Sequence, residues 1–198
     1  MVMREAFWNR YMPGCMEHYL AHIMRRSPDF VHELDFVAEV NDRIIGSVMF
    51  MKSFILGDDG CRHETLSMGP IAVLPSFQCK GVGRMLIERA RTEATNNGYH
   101  AILLCGNLDY YQKVGFVEAE HFGIRTSENK YLAALHICLL RQGASWELSG
   151  RYCENDIYYM VNEAEVEAFD RQFPYKEKIA DTPSQLRFKE VCAMQKDY

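Results

Sequence analysis

Near the start of the chain, apolar residues recur at spacings of three and four. They are Ala6, Phe7 and Tyr11, then Met16, Tyr19, Leu20 and Ile23, with Pro13-Gly14 between the runs. That period predicts helix, broken once by the turn. The pattern then changes. Phe36–Val40 and Ile44–Phe50 are apolar and β-branched and are separated by Asn41-Asp42-Arg43, which predicts a hairpin. Gly57-Asp58-Asp59-Gly60 predicts a second turn, leading into a third strand over Glu64–Val73. These strands are apolar on both faces, as in a sheet covered on both sides.

From Gly83 to about Asn97 the helical period returns. Leu86, Ala90 and Ala94 share a face, with Met85 and Ile87 flanking it, while Arg84, Glu88, Arg91 and Glu93 lie mainly elsewhere. Asn96-Asn97-Gly98 suits a left-handed helix cap. Ala101–Cys105 then reads as a buried strand, so a βαβ crossover should join Glu64–Val73 to a parallel neighbour. Leu108–Val114 predicts a short helix stopped by Gly115, Phe116–Ala119 and Leu132–Leu140 predict strands, and Gly143–Gly150 predicts a loop. Asn162 should cap a helix running to about Phe173, with Glu163 and Glu165 near its positive end and Pro174 stopping it. Tyr175–Tyr198 has weak periodicity and reads as an irregular arm. The expected organisation is one α/β domain over residues 1–150 and a C-terminal extension over 151–198.

Composition narrows the classes. At 48% apolar and 25% charged residues, the 198-residue chain has a globular profile, neither disordered nor collagen-like. No stretch approaches the roughly 18–20 uninterrupted apolar residues of a membrane span. Met1–Arg26 is broken by Arg4, Glu5, Asn9, Arg10, Pro13 and Gly14, so it lacks a signal-peptide core. A net charge of −5 argues against a nucleic-acid partner. Seven cysteines, with no CxxC pair, are expected to be reduced thiols of a cytoplasmic protein. His18 and His22 stand one helical turn apart, but without a third ligand they read as packing residues, and no metal is expected.

The stretch carrying chemistry is Gly69–Gly83, GPIAVLPSFQCKGVG. It is a strand, a loop with glycines at 81 and 83, and a helix start. Helix starts leave N–H groups unbonded and carry partial positive charge. Glycine lets backbone approach a ligand closely. Together these make either an anion cradle or a plain helix cap. Lys80 precedes its glycine, so the stretch is not a P-loop; Ile87 and Glu88 exclude a dinucleotide fingerprint. Pro70 removes a ladder donor from its strand, which predicts a bulge that parts neighbouring strands.

These residues resemble the GNAT superfamily of acetyl-CoA-dependent N-acetyltransferases. Gln78-Cys79-Lys80-Gly81-Val82-Gly83 matches that family's Q/R-x-x-G-x-G/A. Ile71-Ala72-Val73-Leu74-Pro75 looks like its strand end, and Tyr111-Gln112-Lys113-Val114-Gly115-Phe116 is similar to its Y-x-K-x-G-F. The resemblance covers roughly residues 5–140; the N-terminal REAFW and the GNxDYY segment also look like an uncharacterised bacterial-type subgroup. It implies a mixed, mostly antiparallel twisted sheet with helices on both faces and a parallel crossover at the acetyl-CoA site. It implies that Ile71, Ala72 and Val73 line the acyl and pantetheine arm. Gln78, Cys79, Lys80, Gly81, Val82, Gly83 and Arg84 would hold the pyrophosphate, and Asn107 the cofactor amides. A primary amine, on a small molecule or a peptide, would attack the thioester directly. Tyr111 would protonate the departing thiolate, since a phenol of pKa about 10 keeps its proton at neutral pH.

Two departures from the family pattern stand out. Many members carry a Glu on the strand before the bulge, where this chain has Ser67; Glu64 is the nearest carboxylate in sequence but lies on the opposite face by alternation, and His63, His121 and Glu118 are other candidates that nothing in the sequence ranks. The family also has a strand before its first helix, for which Met1–Arg4 is too short. The acceptor should be met by the first helices and by loops after Phe116 and around Gly143–Gly150. Trp8, Tyr11, Trp146 and Glu147 there suit a cationic amine, internal packing or a homodimer contact equally. A non-catalytic acyl-CoA binding module is the competing reading, and an interaction protein whose glycines merely cap a helix is a third.

Overall fold

The chain is described by a computed structural model over residues 1–140 and 149–197. Two helices open it, α1 (Val2–Phe7) and α2 (Glu17–Met24), divided at Pro13-Gly14 as the period requires. No strand precedes α1 among the described residues. The hairpin follows as β1 (Phe36–Val40) and β2 (Arg43–Gly57). Its turn residues Asn41 and Asp42 have φ of 49° and 58°, the left-handed pair that matches strand twist in a two-residue loop. The second turn leads into β3 (Arg62–Val73), antiparallel to β2.

The crossover helix α3 (Val82–Asn96) starts at Gly81, whose φ of 85° suits glycine. It ends in a Schellman motif, with Tyr99 N–H bonded to Ala94 O and Gly98 N–H to Thr95 O. Leu86, Ile87, Ala90 and Ala94 are buried, each large side chain contributing roughly 1.5–3 kcal/mol. Met85 does not flank this stripe; it is 59% exposed, because the turn that seats Val82 and Leu86 on β2 points it outward. Gly46 of β2 permits that seating, since a Cβ there would lie 3.0 Å from both Leu86 Cδ1 and Val82 Cγ1.

After α3 come β4 (Ala101–Cys105), parallel to β3, and the short α4 (Leu108–Tyr111), continued by a 3₁₀ turn to Val114 and closed at Gly115 with φ 89°. Then follow β5 (Val117–Glu118), β6 (Ile124–Arg125), β7 (Lys130–Leu132), β8 (Leu135–Leu139) and β9 (Gly150–Cys153). The expected strand at Phe116–Ala119 is thus only two residues, because a 3₁₀ turn takes over at Ala119. The expected Leu132–Leu140 strand is two strands with a break at Ala133-Ala134. Of the expected loop, residues 143–148 lie outside the described residues, and Gly150 already belongs to a strand.

The main sheet runs β5-β8-β4-β3-β2-β9-β6, with β1 paired to the other half of the β2 edge that β9 uses. Only β3–β4 and β6–β9 are parallel. One core joins α1, α2 and α3 to the sheet; a smaller one gathers Ile55, Leu103, Ile137 and Tyr152. No helix among the described residues is long and apolar enough to cross a membrane.

Past β9, α5 (Glu163–Asp170) is capped by the Asn162 side chain on the N–H groups of Ala164 and Glu165, but it stops three residues before Phe173. The expected irregular arm contains α6 (Pro183–Ala193) and β10 (Gln195–Asp197), the latter pairing with β7. Thr182 and Gln185 form a capping box with Pro183 in the first turn, and this local signal outweighs the weak periodicity. This segment folds back on the start of the chain. Arg4, 1% exposed, meets Asp170 through Nε at 2.6 Å and donates to Pro174 O, and Gln185 donates to Asn9 O and Ile179 O. His18 packs between Phe169 and Phe173, with its Nε2 3.1 Å from Asp170 Oδ1, and His22 stacks on Phe169.

Candidate active site

The sheet opens where β3 passes Pro70. Upstream, Leu66 and Ser67 pair with Ile102 and Leu103 of β4, and no pairing follows. On the β2 side the register jumps from Phe50↔Met68 to Val48↔Ile71, so Met49 faces both Gly69 and Pro70. This is the bulge expected from Pro70. The Gly69–Pro70 peptide is cis, and the φ of Gly69 is 148°, a conformation side chains rarely adopt. Leu74 N–H bonds Ile45 O on β2. By the alternation of an antiparallel ladder, Ala72 also turns its polar groups to β2, while Ile71 and Val73 turn theirs into the gap. The Ala72 side chain is buried in the core, as is that of Val82.

The gap leads to the start of α3. The first helical bond runs from Met85 N–H to Gly81 O, which leaves the N–H groups before it without a helical acceptor. A Cβ on Gly81 would meet nothing within 4 Å, so the space above this turn is open. Cys79, with φ 58°, and Lys80 are exposed in the same turn. Gln78 points inward: its amide donates to Val73 O at 2.9 Å and ties the loop to the strand end. Lys80 Nζ donates to Ser76 O, and Arg84 pairs with Glu88. This backbone cradle, running on from an open strand edge, fits an extended thioester donor with a diphosphate at one end.

Tyr111 is carried by α4, which follows the end of β4. Asn107 caps that helix, its Oδ1 accepting from Asp109 N–H and its carbonyl from Tyr110 and Tyr111 N–H. Gly106 makes room for the ring, since a Cβ there would lie 2.2 Å from Tyr111 Cε2. The ring packs edge-on against Phe116, centroids 5.7 Å apart, and against Tyr110 at 5.1 Å. Burial, reinforced by Tyr11 and Tyr110, pushes the phenol well above the ordinary tyrosine range, so it stays protonated. Tyr110 stands beside the start of α3. Its hydroxyl sits against Gly83, where a Cβ would be 2.6 Å from it.

Residues that the sequence did not single out line the other side of the gap. Tyr152 of β9 shares a hydrogen bond between its hydroxyl and Ser67 Oγ. Tyr158 donates to Gly69 O at 3.0 Å, on the bulge itself. Cys105, at the end of β4, has its thiol pushed up to about 12 by burial and, to a smaller extent, by the Glu154 carboxylate. Glu154 accepts from Tyr159 OH at 3.1 Å, and burial raises its carboxyl above the ordinary range. Tyr11 stacks on Phe188 of α6 with centroids 4.6 Å apart. The other titratable candidates are placed elsewhere. Glu64 faces Phe54 on the opposite side of the sheet from Ser67, His63 lies 3.9 Å from Asp59, and Glu118 pairs with His121. Trp8 donates to Glu177 O, and Trp146 and Glu147 lie outside the described residues. The described residues contain no group of three or more His, Cys, Asp or Glu side chains placed for a metal ion.

The architecture and the sequence have known counterparts. The family model described as Acetyltransferase (GNAT) family matches residues 3–116, more than half the chain. The uncharacterised N-acetyltransferase YhbS of Escherichia coli K12 is 27% identical over 122 residues, which is 61% of this chain and 70% of that protein. A crystal structure of E. coli YhbS in complex with CoA superposes with a TM-score of 0.68 at 20% identity, covering 81% of this chain and 84% of that one. A GNAT family acetyltransferase from Brucella melitensis, solved with acetyl-CoA, gives 0.61 at 20% identity over 79% and 87%.

Proposed function

Because the chain belongs to the acetyltransferase (GNAT) family, we propose that it transfers the acetyl group of acetyl-CoA to a primary amine on a small molecule or peptide. One observation carries this reading: β3 parts from β4 directly before a glycine-capped helix start, leaving an open strand edge continuous with free N–H groups. The outward polar groups of Ile71 and Val73 would pair with the pantetheine arm, and the N–H groups around Lys80–Arg84 would take the pyrophosphate. Gln78 acts by holding Val73 and the loop together. The two structural relatives named above were solved with CoA and acetyl-CoA, which supports the same donor here.

The amine attacks the thioester carbon. Ile71 N–H, freed by the bulge, is the nearest backbone donor for the oxyanion that forms, the term that usually dominates acyl transfer. Tyr111, held protonated by burial, supplies a proton to the departing thiolate. Asn107 and Gly106 position that tyrosine. Two measurements test the reading. Acetyl-CoA should raise the melting temperature by linkage, and thiol release should appear with at least one member of an amine panel. A melting shift without turnover would instead favour an acyl-CoA binding module. No shift at millimolar donor would remove the cradle itself.

A further inference from the structure

The position where many relatives carry a base holds Ser67, whose hydroxyl is engaged by Tyr152. The same side of the sheet nevertheless bears a carboxylate. β9 pairs Tyr152 with Ile55 and Cys153 with Phe54, so Tyr152 stands on the face of Ile55, Ser53, Thr65 and Ser67. The bond between Tyr152 and Ser67 spans that face. Glu154, two residues on, continues on it. Cys105 lies two residues past Leu103, the last partner of Ser67, and Tyr158 bonds the bulge at Gly69. Tyr159, whose hydroxyl donates to Glu154, directly follows Tyr158 in the chain, so the turn that bonds the bulge also holds the carboxylate.

We propose that Glu154 is the base that takes the proton of the incoming amine, brought to the opening by the chain after β9 instead of by β3. This rests on the acetyl-transfer reading above. The ammonium gives one proton to the carboxylate. The freed lone pair forms the C–N bond to the acyl carbon, and the C–S bond breaks with its pair on sulfur. The second nitrogen proton replaces the one Tyr111 gives to the thiolate, and Glu154 passes its own to water. The products are amide, thiol and one proton. Tyr152 of β9, Tyr158 and Tyr159 of the following turn and Cys105 of β4 feel the Glu154 charge, and Asp29, Lys52 of β2, Arg62 and Glu64 of β3, Tyr99 and Asp156 line the same pocket as Glu154; no described basic side chain forms an ion pair with it. Its sole hydrogen-bond donor among the described residues is Tyr159.

The experiment compares wild type, Glu154→Gln and Tyr159→Phe in kcat/KM for the amine across pH, with the acetyl-CoA melting shift measured in parallel. Glu154→Gln should lose on the order of 10²-fold at pH 7. The deficit should shrink as pH nears the amine pKa of about 10, where the amine arrives deprotonated. The donor-induced shift should persist. Tyr159→Phe removes the bond that favours the ionised carboxylate, so the ascending limb should move to higher pH, a displacement that loss of packing would not cause. Wild-type kcat/KM and an unmoved limb in Glu154→Gln would overturn the assignment while leaving acetyl transfer standing. A wild-type protein that binds acetyl-CoA and acetylates no amine would overturn both. If Glu154→Gln fails to fold, Tyr159→Phe decides: a shifted limb supports the base, an unshifted one overturns it.

Discussion

The two sides of the opening are built differently. The donor side is contiguous: one strand end, one loop and one helix start, Ile71 to Arg84, working mostly through backbone. The proposed acceptor side would be assembled from Ser67, Cys105, Tyr152, Glu154 and Tyr158, which are far apart in sequence and would work through side chains. Backbone recognition of a constant donor needs only a few conformationally special residues. Recognition of an acceptor is free to draw on whatever the fold brings near. The difference can be broken or sharpened in four ways.

The largest expected effect joins the two sides. Tyr111→Phe should lower turnover on the order of 10²-fold with donor affinity unchanged, measured by thiol release beside calorimetric acetyl-CoA binding. Next, Arg4→Met strips the buried partner of Asp170 and should cost about 2 kcal/mol in chemical denaturation. That is below the roughly 3–5 kcal/mol of a fully buried pair, because Asp170 keeps some solvent. It should loosen the C-terminal segment while the folded fraction still binds donor. Third, Gly81→Val forces a β-branched residue into φ 85° and fills the open space above the turn. A loss of about 1–2 kcal/mol, roughly tenfold in acetyl-CoA affinity, is expected.

The smallest effect is a pH dependence. Burial, aided by the charge of Arg4 and opposed by Asp170, lowers the His18 pKa. The folded protein therefore binds fewer protons than the unfolded chain. The stability His18 contributes is complete above its unfolded value of about 6.5 and is lost as pH falls below it. The melting temperature should drop by a few degrees between pH 7 and pH 5, and His18→Gln should flatten that slope.

The same contrast explains what could be read from the sequence. The strand, bulge, glycine turn and helix on the donor side were legible because each is a local rule: Pro70 cannot continue a ladder, and Gly81 alone tolerates its φ. The short helix that carries Tyr111 was legible too, through its stop at Gly115. Tyr152 and Glu154 were not, because their strand is only Gly150–Cys153 and its pairing with β2 joins residues about a hundred positions apart. The place of Tyr110 was not legible either, since nothing local reveals that Gly83 sits beneath its hydroxyl. The α6 helix was legible in principle: Thr182-Pro183-Ser184-Gln185 spells a capping box ahead of Leu186.

The meeting of Arg4 and Asp170 also orders events during synthesis. Arg4 leaves the ribosome first, and its partner follows 166 residues later. At ~5–20 residues per second, that is roughly 8–30 s in which a guanidinium destined for burial has no counter-ion. The first helix cannot settle against the sheet at full strength during that interval. The strands and crossover helix between them supply most of the buried residues of the core they share with α1 and α2. Most of that core is thus available to pack while the chain is still growing, and the contacts of the tail with Arg4 and Asn9 form only once its last residues have emerged.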